Sequence, residues 1–212
     1  MKKIILSLLS AGVIATSANA QISFAHELGL NMADLSIKSM GHSASTSMKA
    51  GIAVGGIVGF ELTKNIYLEP GIFYLMNGCN GSNSSSININ TIQVPVNVEY
   101  KLNKAGENRI FFGAGPFIAY NISATSKSGS NSVTMDIGTD KNKDAIKPLD
   151  FGFGINGGYQ LAMGLFFRAH YQLGLAELDP RSDADNTMKS SSLGITVGYY
   201  FGANNSKKTR VK

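Results

Sequence analysis

The stretch of this sequence that most resembles a site for chemistry is DFGFGINGGYQL, residues 150–161. Gly152, Gly154 and Gly157 satisfy the G-x-G-x-x-G pattern of dinucleotide-binding loops, and the first three residues read as the D-F-G of protein kinases. A dinucleotide loop has to lie between a buried strand and a helix. The chain instead continues as YQLAMGLFFRAHYQL, which predicts a hairpin and another strand. Both matches are therefore interpreted as accidental, and no cofactor is predicted.

Metal-binding patterns are equally weak. The segment DKNKDA, which begins at Asp140, resembles the opening of a calcium loop, but such a loop needs glycine at position six and glutamate at position twelve. Ala145 and Phe151 stand there, so no metal site is predicted. Cys79 is the single cysteine, which excludes an internal disulfide. We expect a surface thiol there, with intermolecular pairing and a lipid anchor as less favoured alternatives.

Three histidines, His26, His42 and His170, are the candidates for acid–base chemistry. An esterase or a lipid-modifying enzyme would need serine, histidine and a carboxylate within mutual reach. His42 has serines beside it only because the whole segment is rich in serine, and His170 is two residues from Arg168, which favours a polar network. The sequence therefore predicts no catalytic residues, and a lipid-modifying enzyme stays an alternative.

The two ends of the chain carry much of its formal charge of +5. Residues 1–20 combine a doubly charged start, a short apolar run and an Ala-Asn-Ala cleavage site, which indicates a secretory signal peptide. An N-terminal membrane anchor is disfavoured because the apolar run is short and no stop-transfer pattern comes after it. Residues 202–212 are predicted to form a basic periplasmic tail. The body between is close to neutral without a basic stripe, so no nucleic acid is expected as a partner.

Residues 21–201 alternate apolar and polar positions in eight segments, which predicts eight strands. The connections after the second, fourth and sixth segments are short, whereas the others are long and polar. This alternation is typical of outer-membrane barrels, which have periplasmic turns and extracellular loops. The sequence thus predicts an all-β fold, an eight-stranded antiparallel up-and-down transmembrane β-barrel. The expected strands are residues 22–32, 51–62, 66–76, 91–102, 109–122, 149–161, 165–175 and 193–201.

Charge decides which face of each strand points outward. The apolar face contains no Asp, Glu, Lys or Arg, and an Arg or Lys facing hydrocarbon costs about 2–4 kcal/mol at the bilayer midplane. The apolar face is therefore expected to contact lipid and the charged face to line the lumen. A lumen of eight strands is just wide enough for side chains to fill it, and an unpaired buried charge costs several kcal/mol. We predict a lumenal polar network, in which Glu69, Glu99 and Arg168 share one cluster. Its predicted members are Glu69, Glu99, Lys101, Arg109, Asp150, Arg168 and His170.

The glycines of residues 150–161 fit the same picture. Gly152, Gly154 and Gly158 recur on the inward face, where small residues make room for large lumenal side chains such as Phe73, Phe117 or Arg168. A soluble lipocalin-like barrel also has eight up-and-down strands. It is disfavoured because its apolar side faces inward and it needs no alternation of short and long connections.

Four phrases occur in order along the chain: IYLEPGIFYL, TIQVPVNVEYKL, FFGAGPFIAY and DFGFGINGGYQL. They resemble the PorT-type outer-membrane β-barrel family common in Bacteroidetes, in which a strand with a central proline, here Pro95, and a subsequent GAGP strand recur. The resemblance covers residues 21–201 and implies a location in the outer membrane of a Gram-negative bacterium. Its motifs are structural and imply no activity.

The expected function is accordingly that of a non-enzymatic, porin-like integral barrel with a side-chain-filled lumen. Its long extracellular loops would serve structural or interaction roles. The expected partners are outer-membrane lipid, the barrel-assembly machinery during insertion, and an unidentified extracellular ligand or protein. The alternatives are the lipid-modifying enzyme and a narrow channel.

Overall fold

The computed structural model describes residues 22–39, 42–43, 46–82, 84–182 and 186–201. The predicted signal peptide and the basic tail lie outside the described residues. Among the residues described, no helix is long and apolar enough to cross a membrane. The described chain contains ten strands: β1 (Ile22–Ser39), β2 (His42–Ser43), β3 (Ser47–Glu61), β4 (Ile66–Asn80), β5 (Ser85–Lys101), β6 (Arg109–Ser128), β7 (Asn131–Met135), β8 (Leu149–Gln160), β9 (Leu165–Gly174) and β10 (Thr187–Phe201).

Eight of these strands form a closed antiparallel ring. Neighbours in the ring have the order β1, β3, β4, β5, β6, β8, β9 and β10, and β10 pairs with β1 from Phe24–Phe201 to Lys38–Thr187. The two others are additions, since β2 pairs with the end of β1 and β7 with the end of β6. The predicted eight-stranded up-and-down barrel is confirmed. We call the side of residues 62–65, 102–108 and 161–164 the turn end and the opposite side the loop end.

Alternation along each strand sorts the side chains to the two sides of the ring as predicted. On β6, Ile110, Phe112 and Ile118 are exposed on the outer side, whereas Phe111 and Phe117 are buried inside. An apolar band therefore surrounds the ring, as a bilayer requires. The buried charged side chains are Glu27, Glu69, Glu99, Lys101, Arg109, Asp150 and Arg168.

The strands extend further toward the loop end than predicted. β1 continues to Ser39 where the pattern predicts an end at residue 32, and β5 begins at Ser85 where the pattern predicts residue 91. β6 reaches Ser128 and turns directly into β7. The expected loops at residues 33–50, 77–90, 123–148 and 176–192 are therefore partly strand.

Near the loop end the apolar residues change from the outer to the inner face of the strands. This inversion explains why the sequence pattern predicts these strand residues as loops. In the middle of β5, Val94 and Val96 are exposed on the outer side, but nearer the loop end Ile89 is buried inside the ring and Ile87 packs beside it. The outer positions there are Asn88 and Asn90. An outer face that leaves hydrocarbon and meets water becomes polar, so the inner face becomes the apolar one. Apolar residues thus move from the outer to the inner positions within one strand. In the sequence this interrupts the regular alternation, and the interruption looks like the end of the strand.

Three prolines stand in the middle of neighbouring strands, where each removes a donor from one backbone ladder. Pro70 interrupts the pairing of β3 with β4, Pro95 that of β4 with β5, and Pro116 that of β5 with β6. The ladders on the opposite side of the ring run through mid-height without a gap. The wall from β3 to β6 thus has fewer backbone hydrogen bonds than the opposite wall.

Glycines of β8 let large side chains of neighbouring strands enter the lumen. A Cβ on Gly152 would collide with the backbone carbonyl of Leu173 and lie 2.6 Å from the Phe117 ring. A Cβ on Gly158 would lie 2.5 Å from the Phe111 ring. β8 is flanked by two antiparallel strands and does not lead into a helix in the described chain. These glycines therefore serve packing and do not form a nucleotide loop.

The Gly152→Ala variant is expected to lose folded barrel, because the backbone of Leu173 cannot yield and overpacking costs about 1–3 kcal/mol or more. Gly154→Ala is the matched control in the same strand, since its Cβ would first meet the flexible Gln172 side chain at 3.2 Å. The measurement is the folded fraction, read from heat-modifiable mobility on gels after refolding into detergent. Equal folded fractions for the two variants would contradict this account of the lumen packing.

Candidate functional site

The turn-end half of the lumen holds a buried group of ionisable side chains, which we call the ion cluster. Arg168 Nη2 lies 3.0 Å from Glu69 Oε2 and 3.0 Å from Glu99 Oε1, and its Nη1 lies 3.7 Å from Glu27 Oε1. Lys101 Nζ lies 2.6 Å from Glu69 Oε1 and 3.5 Å from Glu99 Oε2. Each of these five side chains is at most 4% exposed, so the charges must compensate one another.

Hydroxyl groups complete the contacts of the ion cluster. Tyr200 donates a hydrogen bond of 2.7 Å to Glu69 Oε1, and Thr196 donates one of 3.1 Å to Glu27 Oε2. Glu69 thereby accepts from Tyr200, Lys101 and Arg168. Glu99 has the ion-pair distances, but neither of its oxygens is aligned for a hydrogen bond with a described residue. Glu69 is therefore the best-satisfied carboxylate of the cluster.

Arg109 supplies the remaining positive charge next to the ion cluster, in which three carboxylates face two cations. It donates to Tyr67 Oη and to Gln160 Oε1, both at 3.0 Å. The Tyr67 ring contacts two cations, with Lys101 Nζ at 4.7 Å and Arg109 Cζ at 5.3 Å from its centroid. Arg109 thus adds a third cation beside the two cations of the ion cluster.

The structure separates the predicted network into parts. Asp150 lies apart from the ion cluster because it stands at the loop end of β8, where it accepts a 2.6 Å hydrogen bond from Ser190. His170 lines a cavity at mid-height, and its Nε2 has no hydrogen-bond partner among the described residues. The predicted residues that meet in the ion cluster are Glu69, Glu99, Lys101 and Arg168, with Arg109 beside them.

The predicted list of network members does not include Glu27, Thr196 and Tyr200. Alternation places all three on the inward face, so part of the signal was present. Which inward residues share a level depends on the register between strands that are distant in sequence, and here it is set by the pairing of β1 with β10. A single sequence does not contain that register.

Two small cavities lie above the ion cluster, with volumes of about 30 Å³ and 20 Å³. His170 lines the first and Asp150 the second, and Gln93 and Gln172 line both. A polar cavity holds a water molecule once about 10–15 Å³ is accessible. These spaces therefore suit one or two water molecules beside the polar side chains.

A chain of amides and hydroxyls crosses the lumen nearer the loop end. Asn31 donates to Asn77 at 2.7 Å, Asn77 to Thr91 at 3.2 Å, and Thr91 to Asn121 at 3.0 Å. Asn121 then donates to the backbone carbonyl of Lys147 at 3.0 Å. The chain thus ties four strands to the segment that connects β7 with β8. Sequence reasoning did not predict it.

An apolar group closes the lumen at the loop end, and we call it the loop-end cluster. It consists of Leu35, Cys79, Ile89, Ala124, Ile146, Ala176, Leu178 and Met188. Ile146 comes from the segment between β7 and β8, and Leu178 from the segment between β9 and β10. Their segments are joined where the Lys147 N–H donates to the Leu178 carbonyl at 2.8 Å.

Cys79 corrects the prediction of a surface thiol, since it is only 2% exposed and belongs to the loop-end cluster. β4 continues to Asn80, and this extension places Cys79 inside the ring.

The calcium-like segment uses its acidic side chains within its own turn. Asp144 Oδ2 accepts from the Asp140 N–H at 2.6 Å, and Asp140 Oδ1 accepts from the Asn142 N–H at 2.9 Å. Among the residues described, no group of three His, Cys, Asp or Glu side chains is arranged to hold a metal ion.

The three histidines lie in different parts of the barrel. His26 is exposed on the outer face and its ring lies 5.1 Å from that of Phe201, His42 belongs to β2 at the loop end, and His170 is in the lumen. The structure does not bring them together.

Replacement of Arg168 by Met is expected to lower the free energy of unfolding by about 3–5 kcal/mol, because it leaves three buried carboxylates with one cation of the ion cluster. Arg181→Met is the matched control, since Arg181 is 61% exposed and its pair with Asp179 contributes about 0–1 kcal/mol. Urea unfolding in lipid vesicles measures both. A loss for Arg168→Met no larger than that of the control would refute the coupling of these charges.

Comparison with known proteins agrees with this architecture. The family model described as outer membrane protein beta-barrel domain matches residues 16–180. Neisserial surface protein A is 12% identical, with a TM-score of 0.50, and the likeness covers 87% of this chain and 100% of that one. At this identity the likeness concerns the fold alone.

Two further solved barrels are similar at lower scores. OprG of Pseudomonas aeruginosa is 12% identical over 86% of this chain and 97% of its own, with a TM-score of 0.48. Ail of Yersinia pestis is 12% identical over 84% of this chain and 98% of its own, with a TM-score of 0.44. No curated protein shows significant sequence similarity to the chain. The family match covers most of the sequence, so the chain belongs to the outer membrane protein beta-barrel domain family and is located in the outer membrane of a Gram-negative bacterium.

Proposed function

We propose that this protein is a non-enzymatic barrel with a side-chain-filled lumen, whose loop end serves structural or interaction roles at the cell surface. The observation that carries the proposal is the closure of the lumen at two levels. The ion cluster and the rings of Phe111, Phe166 and Tyr200 fill the turn-end half, and the loop-end cluster packs across the lumen nearer the other end. A rigid barrel of this kind would hold the segments of its loop end in fixed positions at the cell surface.

The loop end has the features of a contact surface. β5, β6 and β7 continue past the apolar band as a three-stranded sheet, in which β6 pairs with both neighbours through Ser128. β7 is exposed over most of its length, and Val133 is 64% exposed. The partner in this proposal is an extracellular ligand or protein. Outer-membrane lipid and the barrel-assembly machinery are the partners proposed for the wall.

We also place the chain among the PorT-type barrels of Bacteroidetes. The support is the order of the four sequence phrases, including the central Pro95 of β5 and the GAGP run of β6. Residues 1–20 as a signal peptide and residues 202–212 as a periplasmic tail belong to the same proposal.

Planar-bilayer recording tests the filled lumen. We expect the purified full-length protein to give no steady, discrete conductance, because cavities of about 30 Å³ and 20 Å³ between the ion cluster and the loop-end cluster are too small to pass hydrated ions. An open porin recorded in the same bilayers is the control for insertion. Regular conductance steps from the folded protein would favour the channel instead.

Lipid analysis tests the alternative of an enzyme. In cells that carry the His42→Ala/His170→Ala double variant, the mass spectrum of outer-membrane lipids is expected to equal that of wild-type cells at equal amounts of folded barrel. A lipid product that disappears only in the double variant would favour a lipid-modifying enzyme over a non-enzymatic barrel.

A further inference from the structure

A shallow groove of about 390 Å³, largely open to the surroundings, lies on the outer surface between β5 and β6, in the turn-end half of the wall. Val98 and Ala114 form its floor, and Tyr100 and Phe112 stand at its turn end. Ile66 of β4 completes the apolar lining. Glu99 and Gly113 also line the groove, although both stand at inward-facing positions of their strands and the Glu99 side chain is buried in the lumen.

Gly157 explains why the groove is open. Phe112 pairs with Tyr100 on one side and with Gly157 on the other. A Cβ on Gly157 would lie 3.1 Å from Phe112 Cδ1, so the Phe112 ring lies over Gly157 and away from β5. The absent side chain at Gly157 and the small side chain at Ala114 together leave the space. Gly157 is the last glycine of the G-x-G-x-x-G pattern, and it is the one that faces outward.

The depth of the groove restricts its occupant to one leaflet. Ala114 is five residues from Arg109, the first residue of β6. With a rise of about 3.3 Å per residue and a strand tilt of about 40°, this places it roughly 13 Å above the turn end. One leaflet of a hydrocarbon core about 30 Å thick has a similar depth. The occupant that fits is therefore a single acyl chain from the leaflet at the turn end.

Charge at the mouth of the groove favours an anionic headgroup. Lys64 lies in the turn that leads into β4 at Ile66, and Lys104 lies in the turn that links β5 with β6; both are exposed. Glu107 in the second turn is the opposing charge, so the two turns together carry one net positive charge from these three residues. Basic residues near a membrane surface attract anionic lipid.

We propose that this groove binds one acyl chain of an anionic glycerophospholipid in the periplasmic leaflet, with its phosphate facing Lys64 and Lys104. The proposal rests on the location in the outer membrane and is independent of the role of the loop end. It deepens the proposed contact of the wall with outer-membrane lipid, because it assigns one site and one lipid class to that contact.

Native mass spectrometry of the full-length protein in detergent tests the proposal, with phosphatidylglycerol as the titrated lipid. The wild-type barrel is expected to saturate with one phosphatidylglycerol before further copies add. Ala114→Phe fills the floor of the groove and is expected to weaken the first binding step about tenfold. Ala50→Phe is the matched control, because Ala50 is an exposed residue on the outer side of β3, two strands from β5 and three from β6.

A second variant tests the same groove if Ala114→Phe does not fold. Gly157→Ala should push the Phe112 ring toward the groove and weaken the first binding step with a smaller change in the barrel. Lys104→Gln is expected to reduce the preference for phosphatidylglycerol over phosphatidylethanolamine.

Three outcomes would overturn the proposal. In the first, wild-type protein adds phosphatidylglycerol in a statistical series with no preferred first copy. In the second, the folded groove variants bind as tightly as Ala50→Phe. In the third, the wild-type barrel retains lipid A in preference to phosphatidylglycerol, which would assign the surface to the other leaflet.

Discussion

Hydrocarbon tolerates neither an uncompensated ionic group nor an open strand edge, and the pairing of β1 with β10 meets both requirements at once. This pairing closes the ring, and it also brings Glu27 of β1 next to Thr196 of β10 and within 3.7 Å of Arg168 on β9. Tyr200 of the same last strand reaches across the lumen to Glu69. Charge compensation in the lumen therefore depends on ring closure. The first and last strands are held together by side chains as well as by backbone hydrogen bonds.

The same strands cross from lipid into water without a break, and the inner and outer faces exchange character where they do so. In the band the lumen is polar and the outside apolar, whereas at the loop end Leu35 and Ile89 are buried inside and Ser36 and Asn88 take the outer positions. The loop-end cluster is thus a small core of the kind found in soluble proteins. It anchors the segments that contain Ile146 and Leu178 on top of the barrel.

The ring itself could be predicted because strands that face lipid alternate between an uncharged outer position and a polar inner position. That alternation determines the number of strands and the side on which Glu69, Glu99 and Arg168 lie. The strand ends could not be predicted, because the change of phase near Ile89 has the appearance of a loop. A bulge in β6 near Ile122 adds to this by shifting the register between β5 and β6. Membership of the ion cluster depends on cross-ring register, so alternation alone groups Asp150 with residues far below it and does not single out Glu27 as a partner of Arg168.

The wall from β3 to β6 concentrates three features that belong together. Pro70, Pro95 and Pro116 remove backbone donors there, and each acceptor left in hydrocarbon costs several kcal/mol without compensation. Two of the three carboxylates that contact Arg168 come from this same wall, Glu69 from β4 and Glu99 from β5. Side-chain ion pairs therefore hold from inside the part of the ring that has the fewest backbone hydrogen bonds. The groove between β5 and β6 lies on the outer side of this wall, where an acyl chain would add contacts that the interrupted ladders lack.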